Sequence, residues 1–372
     1  MNSPHRGILG PRSHTAEYPE PVTTTASPAS DADLADLGRA LDQSAENTSF
    51  SGVISVDRDG DTVFARAYGP ADRRHDVPNT VDTRFGLASI AKGFTALAVM
   101  ALVEDGVLSL DTRVRDVLGK DLPLIDDAVT VEQLLAHRSG IGDYLDESAG
   151  WEVDDYVLPV PVHTLSEPES YLALLDGFPQ SFPPGERFSY NNGGFVVLAL
   201  VANRVSGPGY HDLVRERVLV PAGMDHSGFE RSDNLPADAA TGYLSVDSDQ
   251  TNTLHLPVRG VGDGGLYSTV ADLSRFWHAF RAGRIVTPST VAAMVRPRDV
   301  VEDEDMRYGL GFWLDMEGTG LILEGYDAGI SARSRFEPDT GTTVSVVSNS
   351  SEGAWPVLGK YADWLKDRGT AH

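Results

Sequence analysis

Apolar positions change their spacing several times along the chain, and those changes divide it. Leu34, Leu37 and Leu41 fall on one face of a helix expected over residues 31–43. Two alternating segments follow, 52–58 and 62–68. The intervening Asp59-Gly60-Asp61 is turn chemistry, so the pair reads as a β-hairpin. Residues 89–103 return to helical spacing, with Phe94, Leu97, Ala98 and Ala101 on a buried side. From 110 to 254 the pattern is helical and loop-rich, clearest as helices over 131–137, 167–175 and 194–205. A helix over 272–281, entered through Ser268 and Thr269 as capping residues, then gives way to four short apolar runs. These runs, 309–314, 320–324, 332–336 and 342–348, are separated by turn residues, as successive antiparallel strands are. A last helix is expected over 356–366. Early strands, a helical middle and late strands predict an α+β fold: one antiparallel sheet built from both chain ends, flanked by helices, with a mostly helical insertion. The expected division is 31–110 with 255–372 as the α/β part, and 111–254 as the mainly helical part.

Composition narrows the functions open to such a fold. Residues 1–30 are rich in Pro, Ser, Thr and Ala with little to bury, so a disordered tail is expected there. A formal charge of -25 repels phosphate and excludes nucleic acid as a partner. The absence of cysteine excludes disulfides, thiolate metal sites and a cysteine nucleophile. No window of about 18 apolar residues exists to span a membrane, and no apolar stretch follows Met1 as a leader would. A cytoplasmic location is the expectation. Ten histidines lack any ligand-like spacing, so no metal is expected. Neither a Gly-x-Ser-x-Gly elbow nor a phosphate-binding glycine loop is present, and no cofactor is implied.

Two segments carry candidate chemistry. Ser89 and Lys92 stand three apart at a helix start, hence on one face. A serine hydroxyl needs a nearby base to attack a carbonyl, and a lysine of depressed pKa can supply one. Thirty serines and four lysines in 372 residues give about 0.3 chance matches to this spacing, so the pair alone decides nothing. An ordinary helix start capped by Ser89 is the alternative. Further on, Tyr190 stands two before Asn192 at the mouth of an apolar helix. Its phenol could take the serine proton, and Asn192 could hold the lysine or a substrate amide. Here the alternative is a turn whose Asn and Gly residues cap the following helix.

Taken together, in this order and about 100 residues apart, these segments change the picture. The sequence resembles the serine β-lactamase and penicillin-binding-protein superfamily, in its class C-like branch, over roughly residues 45–350. Leu134-Leu135-Ala136-His137-Arg138-Ser139-Gly140-Ile141 resembles that branch's "LLxHTSGL", with Arg138 in place of Thr. Pro221-Ala222-Gly223-Met224, the Gly264–Leu273 stretch and Tyr308-Gly309-Leu310-Gly311-Phe312 resemble three more of its signatures. The resemblance implies the β-lactamase/transpeptidase-like fold, with Ser89 as nucleophile, Lys92 as its partner and Tyr190 as general base.

One motif departs from the branch. Where it carries Lys-Thr-Gly or His-x-Gly, this chain has Leu323-Glu324-Gly325-Tyr326-Asp327. Gly325 still suits a backbone that a substrate must approach closely. Backbone N–H groups of Ser89 and Tyr326 are then expected to form the oxyanion hole. Missing is the cation that binds a substrate carboxylate, and Leu323, Glu324 and Asp327 stand at that place instead. β-Lactamase and D,D-carboxypeptidase activity are therefore demoted. Either neutral esters or amides fit the site, or an acid binds a substrate amine; Glu324 and Asp327 could equally be turn carboxylates facing solvent. Trp151 and Tyr156, in the long acidic loop 143–169, are candidates for lining an acyl pocket. The expected function is a serine hydrolase forming an acyl-serine from a small ester, amide or peptide. An acyltransferase or peptide cyclase using the same acyl-enzyme, and a non-catalytic binding protein on the same fold, stand as alternatives.

Overall fold

A computed structural model describes residues 31–147 and 154–369. The expected tail at 1–30 and Trp151 lie outside the described residues. Helix α1 (Asp31–Thr48) leads into strands β1 (Gly52–Arg58) and β2 (Asp61–Tyr68), and the later part of the chain adds six more strands. They are β3 (Asp299–Val301), β4 (Met306–Tyr308), β5 (Trp313–Asp315), β6 (Leu321–Asp327), β7 (Ile330–Glu337) and β8 (Thr342–Ser348). Every neighbouring pair is antiparallel, in the order β2-β1-β8-β7-β6-β5-β4-β3. The hairpin from the chain's start is thus closed onto its last strand.

Period-two alternation explains how β1 and β8 serve two cores. Their paired Ile54 and Val346, and Val56 and Val344, face Leu37 and Leu41 of α1 and Val357 and Leu358 of α5 (Ala354–Gly369). One residue along, the Val53–Val347 pair joins the larger core on the opposite face. That core is organised by three helices: α2 (Ala91–Glu104), α3 (Asn192–Ser206) and α4 (Val270–Arg281). Residues 91–102 of α2 are buried all round, including Lys92. A helix apolar on every side has no solvent face to offer, which puts it at the centre of the molecule. Lys92 is carried inside with it.

Local differences from the sequence expectations have identifiable causes. The helix expected over 89–103 begins instead with a tight turn, Ala88–Ile90, and Ser89 caps nothing. Of the strand expected over 309–314, only Trp313 and Leu314 are strand, in β5; residues 309–312 form a turn between β4 and β5, where Gly311 takes φ 84°. Its apolar residues Leu310 and Phe312 are buried in the core, which mimics a strand's composition. Over 131–137 the helix stops at Leu135, because His137 adopts φ 54°. No helix among the described residues is long and apolar enough to cross a membrane.

Candidate active site

Strand β6 and the turn before α2 meet at van der Waals contact, and the geometry there admits only glycine. A Cβ on Gly325 would lie 2.0 Å from the Leu87 carbonyl oxygen and 3.0 Å from the Ser89 nitrogen. Beside it Ala88 holds φ 45°, a left-handed conformation costly for a residue with a Cβ. The strained turn presents Ser89 next to the β6 backbone, and both Ser89 and Tyr326 line the same cleft.

Behind Ser89 sits Lys92, 2% exposed. Its Nζ has three partners: Ser89 Oγ at 2.7 Å, Asn192 Oδ1 at 2.8 Å and the Asp263 carbonyl oxygen at 3.1 Å. Burial pushes the Lys92 pKa down, while Asp263, Glu147, Asp143 and Asp327 pull it back up. The geometry bears on the neutral form. A neutral amine has two N–H bonds and one lone pair. Asn192 Oδ1 and the Asp263 carbonyl can only accept, so they take the two protons. The lone pair is left facing the Ser89 hydroxyl.

Tyr190 completes the group and is positioned by the turn at His137. Ser189 donates its N–H to the His137 carbonyl at 2.8 Å, and Asn191 donates to His137 Nδ1 at 3.0 Å. The Tyr190 ring lies 4.4 Å from the His137 ring and stacks on Trp313 at 6.0 Å. His137 is buried, and burial together with Lys92 holds its pKa well below the usual value. It is a neutral support rather than an acid. Arg138, standing where the resemblance has Thr, grips Asp299 of β3 at 2.5 and 2.7 Å and the Gly185 carbonyl at 2.5 Å. The loop carrying Tyr190 is thereby tied to the sheet edge.

The Tyr190 hydroxyl hydrogen-bonds Ser89, and its ring lies 5.0 Å from Lys92 Nζ. Burial, then the Glu147 charge, push the phenol's pKa well above its usual value, although the Ser89 hydrogen bond opposes this. The resting phenol therefore keeps its proton, which bears against Tyr190 as the group that first takes the serine proton. Burial lowers the lysine and raises the tyrosine, so the amine is the better proton acceptor of the two.

The other expected residues separate into two sets. Asp327 lines the cleft with Tyr326, Asn192 and Tyr156, and Tyr156 donates its hydroxyl to the Tyr144 carbonyl. Leu323 is 2% exposed, with its methyl groups against Gly93 of α2, so it faces the core and not a substrate. Glu324, on the opposite face of β6, is paired with Arg333 of β7 and is absent from the cleft lining. Alternation along the strand sets Leu323 and Glu324 on opposite faces, and Tyr326 and Asp327 reach the cleft because they lie further along β6. The expectations of substrate contact by Leu323 and Glu324 are corrected here.

Sequence reading missed Asp143, Tyr144, Glu147, Glu230 and Asp263. Asp143 accepts from the N–H groups of Asn192 at 2.6 Å and Gly193 at 2.8 Å, holding the start of α3. Tyr144 donates to Asp263 Oδ2 at 2.5 Å. A signal existed: Asp143 follows the Leu134–Ile141 motif closely, and Asp263 directly precedes Gly264-Gly265. Among the described residues, the cleft has Glu147, Glu230, Asp263 and Asp327 in its lining and neither lysine nor arginine.

Comparisons agree with this architecture. Residues 37–365 match the Beta-lactamase family profile. Penicillin-binding protein 4* of Bacillus subtilis is 27% identical over 286 residues, covering 72% of this chain and 60% of that protein. A D-aminopeptidase of Brucella anthropi is 29% identical over 284 residues, covering 74% and 51%. The chain thus spans about half to three-fifths of the length of these two relatives. The crystal structure of a penicillin-binding protein from Bacillus halodurans superposes with a TM-score of 0.81 at 36% identity, covering 87% of this chain and 99% of that one. With the profile spanning nearly all the described residues, and Ser89, Lys92 and Tyr190 gathered together, the chain belongs to the β-lactamase family.

Proposed function

We propose that the protein is a serine hydrolase that forms an acyl-serine at Ser89 from small esters or amides whose acyl part carries a protonated amine. The Ser89 Oγ attacks the carbonyl as its proton passes to the Lys92 lone pair, with the Tyr190 hydroxyl as the second hydrogen-bond partner. Negative charge on the carbonyl oxygen is met by the backbone N–H groups of Ser89 and Tyr326. As the C–O or C–N bond breaks, the leaving group takes back the proton held on Lys92. Water then repeats the sequence with the same base and frees the acid.

The observation that carries the substrate class is charge: among the described residues four carboxylates line the cleft beside Ser89 and no lysine or arginine is in the lining, although Arg84 reaches Glu230 from outside it. Asp327 is the one nearest the expected oxyanion site along the strand. Burial pushes its pKa to about 7, with Asp263 and Glu147 adding to the rise and Lys92 opposing it. A carboxyl held up in this way gains most from an ammonium, while a substrate carboxylate meets repulsion. The name of one relative, a D-aminopeptidase, supports amino-acid amides or esters as the class.

The test pairs each amino-acid p-nitroanilide, in both enantiomers, with its N-acetyl derivative. A kcat/KM at least about 10-fold higher for the free amine is expected, which is roughly the worth of one charge-assisted contact. Equal rates, or fast turnover of the carboxylate-bearing β-lactam nitrocefin, would reject the charge reading. Absence of fluorophosphonate labelling at Ser89 would reject the hydrolase itself. Adding a free amine or alcohol and analysing products separates hydrolysis from acyl transfer.

A further inference from the structure

The neutral lysine can direct its lone pair at Ser89 only while Asn192 presents oxygen, not nitrogen, to Nζ. An amide side chain is nearly symmetric in shape, so something must choose its orientation. The choice is made from the other side by the short segment after the His137 motif. Asn192 Nδ2 donates one proton to the Leu145 carbonyl at 3.0 Å and the other to Glu147 Oε1 at 2.9 Å. Both of these partners can only accept. Reversing the amide would set its NH₂ against the Lys92 amine and its oxygen against a carboxylate and a carbonyl. Asn192 is 2% exposed, so the amide itself has little access to water to relieve that mismatch. The same segment steadies the lysine's second acceptor, since Tyr144 holds the Asp263 side chain while the Asp263 carbonyl takes the Nζ proton.

We propose that Glu147 is a positioning residue: with the Leu145 carbonyl it holds both amide protons of Asn192, which fixes the lone pair of Lys92 on Ser89. Glu147 touches no reacting atom in this role. It acts through Asn192, and the inference rests on the acyl-serine reading of the site.

The experiment follows the rate of Ser89 labelling by a neutral fluorophosphonate, so that attraction between Glu147 and a charged substrate does not enter. Glu147→Ala is expected to slow labelling about 10-fold, the order expected for a charged hydrogen bond to a buried amide. Glu147→Gln keeps an acceptor oxygen at the same reach and is expected to label within about 3-fold of wild type. The Glu147→Ala change made in an Asn192→Ala protein is expected to add nothing further, because its only route is through that amide. Thermal melting of each variant separates these effects from loss of fold. Wild-type labelling rates in Glu147→Ala, or fully additive effects with Asn192→Ala, overturn the proposal while leaving the hydrolase reading intact. A wild-type protein that does not label at Ser89 removes both.

Discussion

The two ends of the cleft are built on opposite electrostatic plans. At the inner end the Lys92 amine is fully partnered, by Ser89, Asn192 and Asp263, and the partners are partnered in turn by Glu147, Leu145 and Tyr144. At the other end Glu230 is paired with Arg84, whereas Asp327 has no lysine or arginine partner among the described residues. Glu324, one residue from Gly325 on the same strand, shows what a satisfied carboxylate looks like here, since Arg333 pairs with it. The contrast teaches that the inner end is organised for proton transfer before any ligand arrives. At the outer end Asp327 leaves its charge to be neutralised by what binds.

Breaking the inner end should have the largest effect. Ser89→Ala and Lys92→Ala are each expected to lower kcat by about 10,000-fold or more toward every acyl donor, whatever its charge, read by steady-state kinetics. Next comes the wall between the ends. Gly325→Ala forces a Cβ into the Leu87 carbonyl, so β6 must retreat from Ser89. A loss of about 100-fold in kcat is expected, comparable to removing one oxyanion donor. An unchanged kcat would show that the strand gives way without moving Tyr326.

The outer end should respond only to substrate charge. Asp327→Asn is expected to reduce kcat/KM about 10-fold or more for amine-bearing donors and to leave N-acetylated ones within about 2-fold. The pH profile sharpens this. Asp327 ionises at about 7, so kcat/KM for an amine donor rises through that pH until the substrate amine itself loses its proton near about 8. In Asp327→Asn that amine-specific rise should be gone. Its persistence would reassign it to another group of the cleft.

The smallest effect concerns stability. Burial raises the Asp143 pKa from 3.8 to about 7, although the N–H groups of Gly193 and Asn192 oppose the rise. A carboxyl with a raised folded pKa favours the fold most when protonated, below its unfolded value, and that contribution fades as pH climbs through about 7. Asp143→Asn keeps an acceptor for α3 and removes the ionisation. Relative to wild type its melting temperature should therefore improve between pH 4 and 8, by no more than a few degrees. A difference independent of pH would show that the carboxyl is neutral throughout.

The sequence by itself determined the α+β class, the hairpin at 52–68, the late strands and the residues at the inner end. Those features are written in local spacing: period two for strands, three residues between a serine and a lysine, glycine where a turn needs it. What it could not decide was which way a side chain faces once strands pair and where a distant charge lands. Leu323, Glu324 and Asp327 are neighbours in the chain, yet the pleat sends the first into the core beside Gly93 and the second to Arg333. Only the third reaches the cleft. Glu147 and Asp263 are 116 positions apart; the Gly264-Gly265 pair flags the place of Asp263, but nothing local brings it and Glu147 together around Lys92. Only the packing of α2 and α3, which buries a lysine and an asparagine side by side, gives those acids their meaning.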